Sequence, residues 1–237
     1  MPSAETPNPD FRPDFRHIRT WIFDLDNTLY RAESGLFAQI DARMSGFVAR
    51  VLGVDPAEAR RIQKAYYRDH GTTLTGLIKL HGVDPEDFLA EVHDIDLSAI
   101  QADEGLAAAI AALPGRRFVF TNGCRNHAAR ILARTGLTRL FEDIWDIRTI
   151  RYSPKPLPEA YDRILAHSGV AARECAMFDD IARNLVPAHG LGMTTVWVKT
   201  DAPWARQGPE FPVAGPENID YEAPDLAGFL HTIRTFA

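Results

Sequence analysis

The chain alternates between short apolar runs and longer stretches whose apolar residues recur at helical spacing. Ile18–Phe23 is apolar on both alternating sets near its end, the pattern of a strand buried on both faces. Leu36, Phe37, Ile40, Met44, Phe47, Val48, Val51 and Leu52 then recur at three- and four-residue intervals, predicting a helix over 36–53 that stops at Gly53. Asp55-Pro56 caps and opens a second helix through Tyr67, and short helices are expected over 73–81 and 84–93. From Glu104 the period switches repeatedly. A helix over Glu104–Leu113 leads to a strand at Arg117–Thr121, and a helix at Asn126–Thr135 stops at Gly136. Phe141–Ile147 reads as a short strand, and Pro158 opens a helix that Gly169 closes. A strand at Cys175–Asp180 feeds a helix through His189, and Thr194–Val198 is the last strand read. Residues 200–224 carry five prolines and are expected to wrap irregularly, before a final helix over Asp225–Phe236.

This order implies an α/β protein with a Rossmann-like, doubly wound parallel sheet and an all-helical insert after the first strand. The expected organisation is a loose polar arm over 1–17, a core formed by 18–30 and 104–237, and a helical cap over 31–103. A connection as long as 31–103 argues for a functional insert.

Composition narrows the class. With 46% apolar and 24% charged residues in 237, the chain reads as an ordinary globular protein. No window reaches the roughly 18 apolar residues of a membrane helix, and the first residues lack the apolar core of a signal peptide. Cys124 and Cys175 fit no metal or redox spacing and read as free thiols, so a cytoplasmic setting is expected. A net charge of −6 argues against a nucleic-acid polymer as partner, whereas one phosphorylated metabolite could be met by a cation and a lysine. Oligomeric state is not legible.

Chemistry gathers where apolar runs end. Asp24 and Asp26 leave the first strand at its carboxyl end, where open α/β sheets bind ligands. Paired carboxylates there repel, unless a divalent cation and a reaction needing one ionised and one protonated acid give them work. Thr121-Asn122-Gly123 ends the second run, Lys155 lies between two prolines, and Asp179-Asp180 ends the third main run with Asn184 a turn later. A calcium-loop reading of Asp24-x-Asp26-x-Thr28 fails because the sixth position is Leu29 and the twelfth Gly35. In bacterial receiver domains, which use similar residues, the acidic pair comes first in the chain; here it comes last.

With these strings in place ("FDLDNTLY", "FTNGCRNHAARIL", "SPKPLPEAY", "FDDIARNL"), the chain resembles the haloacid dehalogenase superfamily of phosphohydrolases from about Trp21 to Val198. The string "YYRDHGTTLTGLIKLHG" makes it most similar to the pyrimidine 5′-nucleotidase branch. The resemblance implies a Mg²⁺-dependent phosphomonoesterase with Asp24 as nucleophile and Asp26 as general acid and base. Mg²⁺ would be held by Asp24, the Asp26 backbone carbonyl and Asp180, with Asp179 and Asn184 behind them. Lys155 would balance charge, and Thr121, Asn122 and Gly123 would bind the phosphate. A carbon–halogen substrate would give Asp26 no leaving group to protonate, which favours phosphate. For these roles Asp26 should have a raised pKa and Asp24 a lowered one.

In the insert, Tyr66, Tyr67, His70, Thr72 and Thr73 offer stacking surface and short hydrogen-bonding groups for a base and ribose. They serve equally as helix packing and a turn. The remaining seven histidines read as structural. The expected substrate is a pyrimidine nucleoside 5′-monophosphate, with another small phosphometabolite or an idle binding protein as alternatives.

Overall fold

The structure, a computed structural model, describes residues 12–31, 34–200 and 214–236. Six parallel strands form one sheet in the order β3-β2-β1-β4-β5-β6. They are β1 (Thr20–Phe23), β2 (Arg116–Phe120), β3 (Asp143–Trp145), β4 (Cys175–Asp179), β5 (Thr194–Val198) and β6 (Tyr221–Ala223). All residues of β1 and β4 are buried, as runs covered on both faces require. Ile22 of β1 lies opposite Phe118 on one side and Met177 on the other, so β1 is central. The chain builds outward to β3, then returns to place β4 on the other side of β1. That reversal is the switch point where such sheets bind ligands, and it sets the ends of β1 and β4 side by side. Phe23 stacks on Phe178 at 4.6 Å beneath it.

Between β1 and β2 the chain forms α1 (Leu36–Leu52), α2 (Pro56–His70), α3 (Thr73–His81), α4 (Pro85–Val92) and α5 (Glu104–Ala111). The first four pack on one another as the helical insert, while α5 lies against the core. Asp55 accepts from the amides of Ala57 and Glu58, and Asp84 from that of Glu86, so the Asp-Pro pairs start α2 and α4 as expected. Gly53 ends α1 at φ 66°, a conformation that costs a side-chain-bearing residue. The insert's interior includes Phe47 edge-on to Phe88 at 5.1 Å. The core adds α6 (Arg125–Thr135), α7 (Pro158–Ser168), α8 (Ala182–Gly190) and α9 (Leu226–Thr232). Among the described residues, no helix is long and apolar enough to cross a membrane.

Several expectations need correction. Helix α2 continues to His70 rather than stopping at Tyr67, because nothing breaks it before Gly71 at φ 84°. The stretch read as irregular contains β6, a three-residue strand too short to show a period; residues 201–213 of that stretch lie outside the described part. Of the arm expected to be loose, 1–11 lie outside the described residues, but its end is docked. Phe15 is wholly buried against Trp21, Tyr221 and Phe229, and its amide donates to the Arg234 carbonyl at 2.8 Å. One buried aromatic in a polar segment has no periodicity to announce it.

Candidate active site

The end of β1 supplies Asp24, whose amide donates to Phe178 of β4 at 2.8 Å. The chain then turns at once: Leu25 accepts from the amides of Thr28 and Leu29, and Asn27 adopts φ 62°. This turn lets Asp24 and Asp26 line one cavity although they are two residues apart.

Lys155 is 2% exposed, and its ammonium spends all three donors. It reaches Asp24 Oδ1 at 2.7 Å, Asp179 Oδ2 at 2.7 Å and the Phe120 carbonyl at 2.9 Å. Its backbone is clasped by Asn122, whose side chain accepts from the Lys155 amide at 2.8 Å and donates to its carbonyl at 3.1 Å. The amide side chain of Asn122 thus holds the lysine. The Gly123 amide donates to Thr121 Oγ1 at 2.9 Å, leaving the Thr121 hydroxyl hydrogen for a further acceptor. Gly123 has little room for a side chain, since a Cβ would stand 3.2 Å from Thr121 Oγ1 and 3.3 Å from the His127 ring.

Asp179 and Asp180 divide. Asp179 is saturated, accepting from Ile181 N at 2.9 Å, Asn184 Nδ2 at 2.9 and 3.1 Å, and Lys155. Asn184 is itself fixed by Tyr161, whose hydroxyl donates to its carbonyl. Asp180 Oδ2 is buried without a hydrogen-bond partner among the described residues. Asp24, Asp179 and Asp180 each offer an oxygen, all within 4.8 Å of one another. With Asp179 saturated, Asp24 and Asp180 are the carboxylates left to meet a cation, a hard oxygen set of the kind Mg²⁺ takes.

Asp26 has its own partners. His127 Nε2 lies 2.9 Å and the Tyr30 hydroxyl 2.7 Å from the same oxygen, Oδ1. His127 is buried, stacks on His93 with centroids 4.4 Å apart, and its Nδ1 has no hydrogen-bond partner among the described residues. His93 Nδ1 in turn meets Cys124 Sγ at 3.2 Å.

The electrostatics reverse the expected split. Burial, reinforced by Asp179 and Asp26 against the opposing pull of Lys155, pushes Asp24 up to about 7. Burial also pushes Asp26 upward, but His127 and Tyr30 outweigh it and its net shift is downward. Burial alone would lower Lys155, yet Asp179 and Asp24 raise it, so it stays cationic. Burial, then Asp24 and Asp179, hold Asp180 well above the carboxylate range.

The cavity, about 180 Å³, runs from these groups into the insert, where Phe37, Ile40, Met44, Phe88, Leu89 and Val92 form apolar walls. Tyr67, Thr72 and Thr73 line it, together with Asp41, Gln63 and Lys64, which the sequence reading did not single out. Thr72 also caps α3, accepting from the Thr75 amide at 3.1 Å, and Thr73 donates to the Gln63 carbonyl at 3.2 Å. Tyr66 and His70 are not among the lining residues. Tyr66 bonds His81 at 2.6 Å and packs edge-on to His70, so the helix-packing alternative describes these two. Tyr30, His93 and His127 were missed as well. Tyr30 lies four residues past Asp26, and His127 sits in the same string as Thr121, the only signals available.

Comparison with known proteins agrees with this geometry. Residues 18–192 match the haloacid dehalogenase-like hydrolases. The chain is 30% identical over 193 residues to Phosphate metabolism protein 8 of Saccharomyces cerevisiae, covering 74% of this chain and 60% of that protein's length. Among solved structures it is similar to a phosphatase of this superfamily from Thermococcus onnurineus (TM-score 0.59, 20% identity, 92% of this chain and 100% of that one). It is also similar to the L-2-haloacid dehalogenase of Xanthobacter autotrophicus (TM-score 0.54, 17% identity, 90% and 97%). At these identities the two structures speak to the fold. The chain belongs to the haloacid dehalogenase-like hydrolase family.

Proposed function

We propose that this hydrolase is a Mg²⁺-dependent phosphomonoesterase that works through a phosphorylated Asp24, with a pyrimidine nucleoside 5′-monophosphate as substrate. The observation that carries the phosphatase reading is Asp26, a second carboxylate on the same cavity, held at one oxygen by two dedicated donors. An attack on carbon bearing a halide has no leaving oxygen to protonate. An attack on phosphorus does, and it needs a base for water afterwards.

The donor set fits Mg²⁺, because Asp180 keeps a buried oxygen beside Asp24 that has no hydrogen-bond partner among the described residues. When bound there, the ion would offset the negative charge of nucleophile and phosphate. The chain does the rest. Lys155 holds Asp24 by one oxygen and so orients the other. Thr121 presents a hydroxyl to the phosphate oxygens, and Asn122 keeps Lys155 in register. Asp26, ionised beside His127 and Tyr30 in the free enzyme, would be pushed up by the negative charge of an arriving phosphate, while Asp24 would regain its charge beside a bound cation. Asp26 then delivers a proton to the leaving alkoxide and takes one from the attacking water. The apolar walls exclude bulk water, which strengthens each of these interactions.

The substrate reading rests on the insert. Tyr67 gives an aromatic face, and Gln63, Thr72 and Thr73 give polar atoms along an otherwise apolar slot. A helical cap over 31–103 that closes on the sheet end would favour metabolites over larger phosphoesters. The test is phosphate release with Mg²⁺ from UMP, CMP, AMP, ribose 5-phosphate and p-nitrophenyl phosphate. The highest kcat/KM on UMP or CMP is expected. A preference for the sugar phosphate would overturn the nucleotide assignment alone, and no release from any ester would overturn phosphatase activity.

A further inference from the structure

We propose that His127, with Tyr30, is a positioning residue that fixes the Asp26 carboxylate by its Oδ1 and so commits Oδ2 to the leaving group and the attacking water. This rests on the reading of Asp26 as general acid and base. Both donors converge on Oδ1, at 2.9 and 2.7 Å, and Oδ2 accepts from neither. The carboxylate itself lines the cavity and its side chain is 24% exposed. One oxygen is therefore anchored in the protein, and the other is the one open to substrate.

The anchor is built to be rigid. His127 lies on the first turn of α6, with its side chain fully enclosed, and stacks on His93 from the insert. Nε2 carries the hydrogen that Asp26 accepts, and Nδ1 has no partner among the described residues, so the ring's one polar contact is the one to Asp26. Tyr30 approaches from the turn after β1, so two unrelated segments grip the same atom. The stacked pair also ties the insert, through His93, to the acid–base group of the core.

The proton path follows. As an Asp24 oxygen bonds phosphorus and the bond to the leaving oxygen breaks, the Oδ2 proton of Asp26 passes to that oxygen, releasing an alcohol. In the second step a water oxygen bonds phosphorus, the bond to Asp24 breaks, and the water proton returns to Oδ2. His127 and Tyr30 keep their own protons throughout.

An enclosed histidine with only a structural role would affect every substrate alike. A positioning role acts first on esters that need the proton. The experiment measures kcat and KM on p-nitrophenyl phosphate, whose leaving group departs without help, and on an alkyl phosphate such as glycerol 3-phosphate, whose leaving group does not. The variants are His127→Leu, His127→Gln and Tyr30→Phe, with Asp26→Asn as reference. His127→Leu is expected to lose roughly ten- to a hundredfold in kcat/KM on the alkyl ester, the range of a misplaced acid, because that ratio covers the steps up to departure of the leaving group. Its loss in kcat/KM on the aryl ester should be several-fold smaller. His127→Gln, which restores an N–H at similar reach, should recover most of the difference. If His127→Leu does not fold, Tyr30→Phe carries the same comparison by removing the other donor. Equal losses on both esters, with Asp26→Asn inactive on the alkyl ester, would overturn the positioning role and leave the acid–base reading standing. Undiminished alkyl turnover in Asp26→Asn would overturn both.

Discussion

Replacing Asp24 by Asn removes one carboxylate from a buried group that also holds Asp179 and Asp180, while keeping its shape. Turnover should vanish and the fold should survive, with thermal stability level or higher, because burial, with Asp179 and Asp26, outweighs Lys155 in opposing the displaced charge. Phosphate release within tenfold of wild type would remove Asp24 from the mechanism. His93 offers a test of a different kind. Burial, then His127, holds it down at about 3, against an ordinary value of 6.5. Between those values the unfolded chain takes up a proton that the folded protein refuses. Stability from this site is therefore complete above pH 6.5 and lost progressively as pH falls towards 3. His93→Phe should flatten the acid side of the stability curve, read from urea unfolding at pH 7 and pH 5; an unchanged slope would contradict it. At this scale the sequence was legible wherever a polar residue ended an apolar run: Asp24, Thr121, Asp179 and Asp180 all do. His127 and Tyr30 act through Asp26 from a helix and a turn, with no run to mark them. The reversed pKa order of the two aspartates has the same origin, because it depends on who stands beside each carboxylate.

Within the insert, α2 presents adjacent tyrosines with different surroundings, and this separates recognition from packing. Tyr67→Ala should cost about 1–3 kcal/mol against the preferred nucleotide, the range of one good contact, and much less against p-nitrophenyl phosphate. Equal losses in kcat/KM on both would make Tyr67 a packing residue. Tyr66 lies over Gly76 of α3, where a Cβ would stand 2.5 Å from its ring. Gly76→Ala must push α2 and α3 apart and should destabilise the protein by about 1–3 kcal/mol, seen as a lowered Tm; an unchanged Tm would mean that the pair yields freely. Elements with a full period, from α1 to β5, were readable, with ends displaced by a few residues where no glycine or proline stops them. The three residues of β6 gave no period at all, and α9 stops at Thr232, short of the expected Phe236. Gly76 shows the same limit inside a helix: its smallness is explained only by Tyr66 across the groove.

For the molecule as a whole, a cation that binds only the folded state must stabilise it by mass action, about 2.7 kcal/mol at a hundredfold excess over Kd. Mg²⁺ should therefore raise Tm in wild type and leave Asp180→Asn nearly unmoved, whether or not substrate is present. A Tm indifferent to Mg²⁺ in wild type would contradict the assignment of Asp24 and Asp180. Chelator should abolish phosphate release, and Ca²⁺ should not restore it, since its larger, looser shell lets a carboxylate bind through both oxygens. The sheet order has a consequence in time. β1 is made before the other five strands described, yet it is central, and Trp21 pairs with Arg117 on one side and Ala176 on the other. At about 5–20 residues per second, its second neighbour follows roughly 8–30 s later on the ribosome. Until β2 is made the apolar segment that leads to Asp24 has no strand to pair with, and until β4 is made one of its edges stays open, while α1–α4, built from near neighbours in sequence, can already close on themselves. Pulse-labelled hydrogen exchange during refolding should find the amides of α1 and α2 protected first and those of β1 among the last, which would make the candidate active site the final part of the protein to come into being.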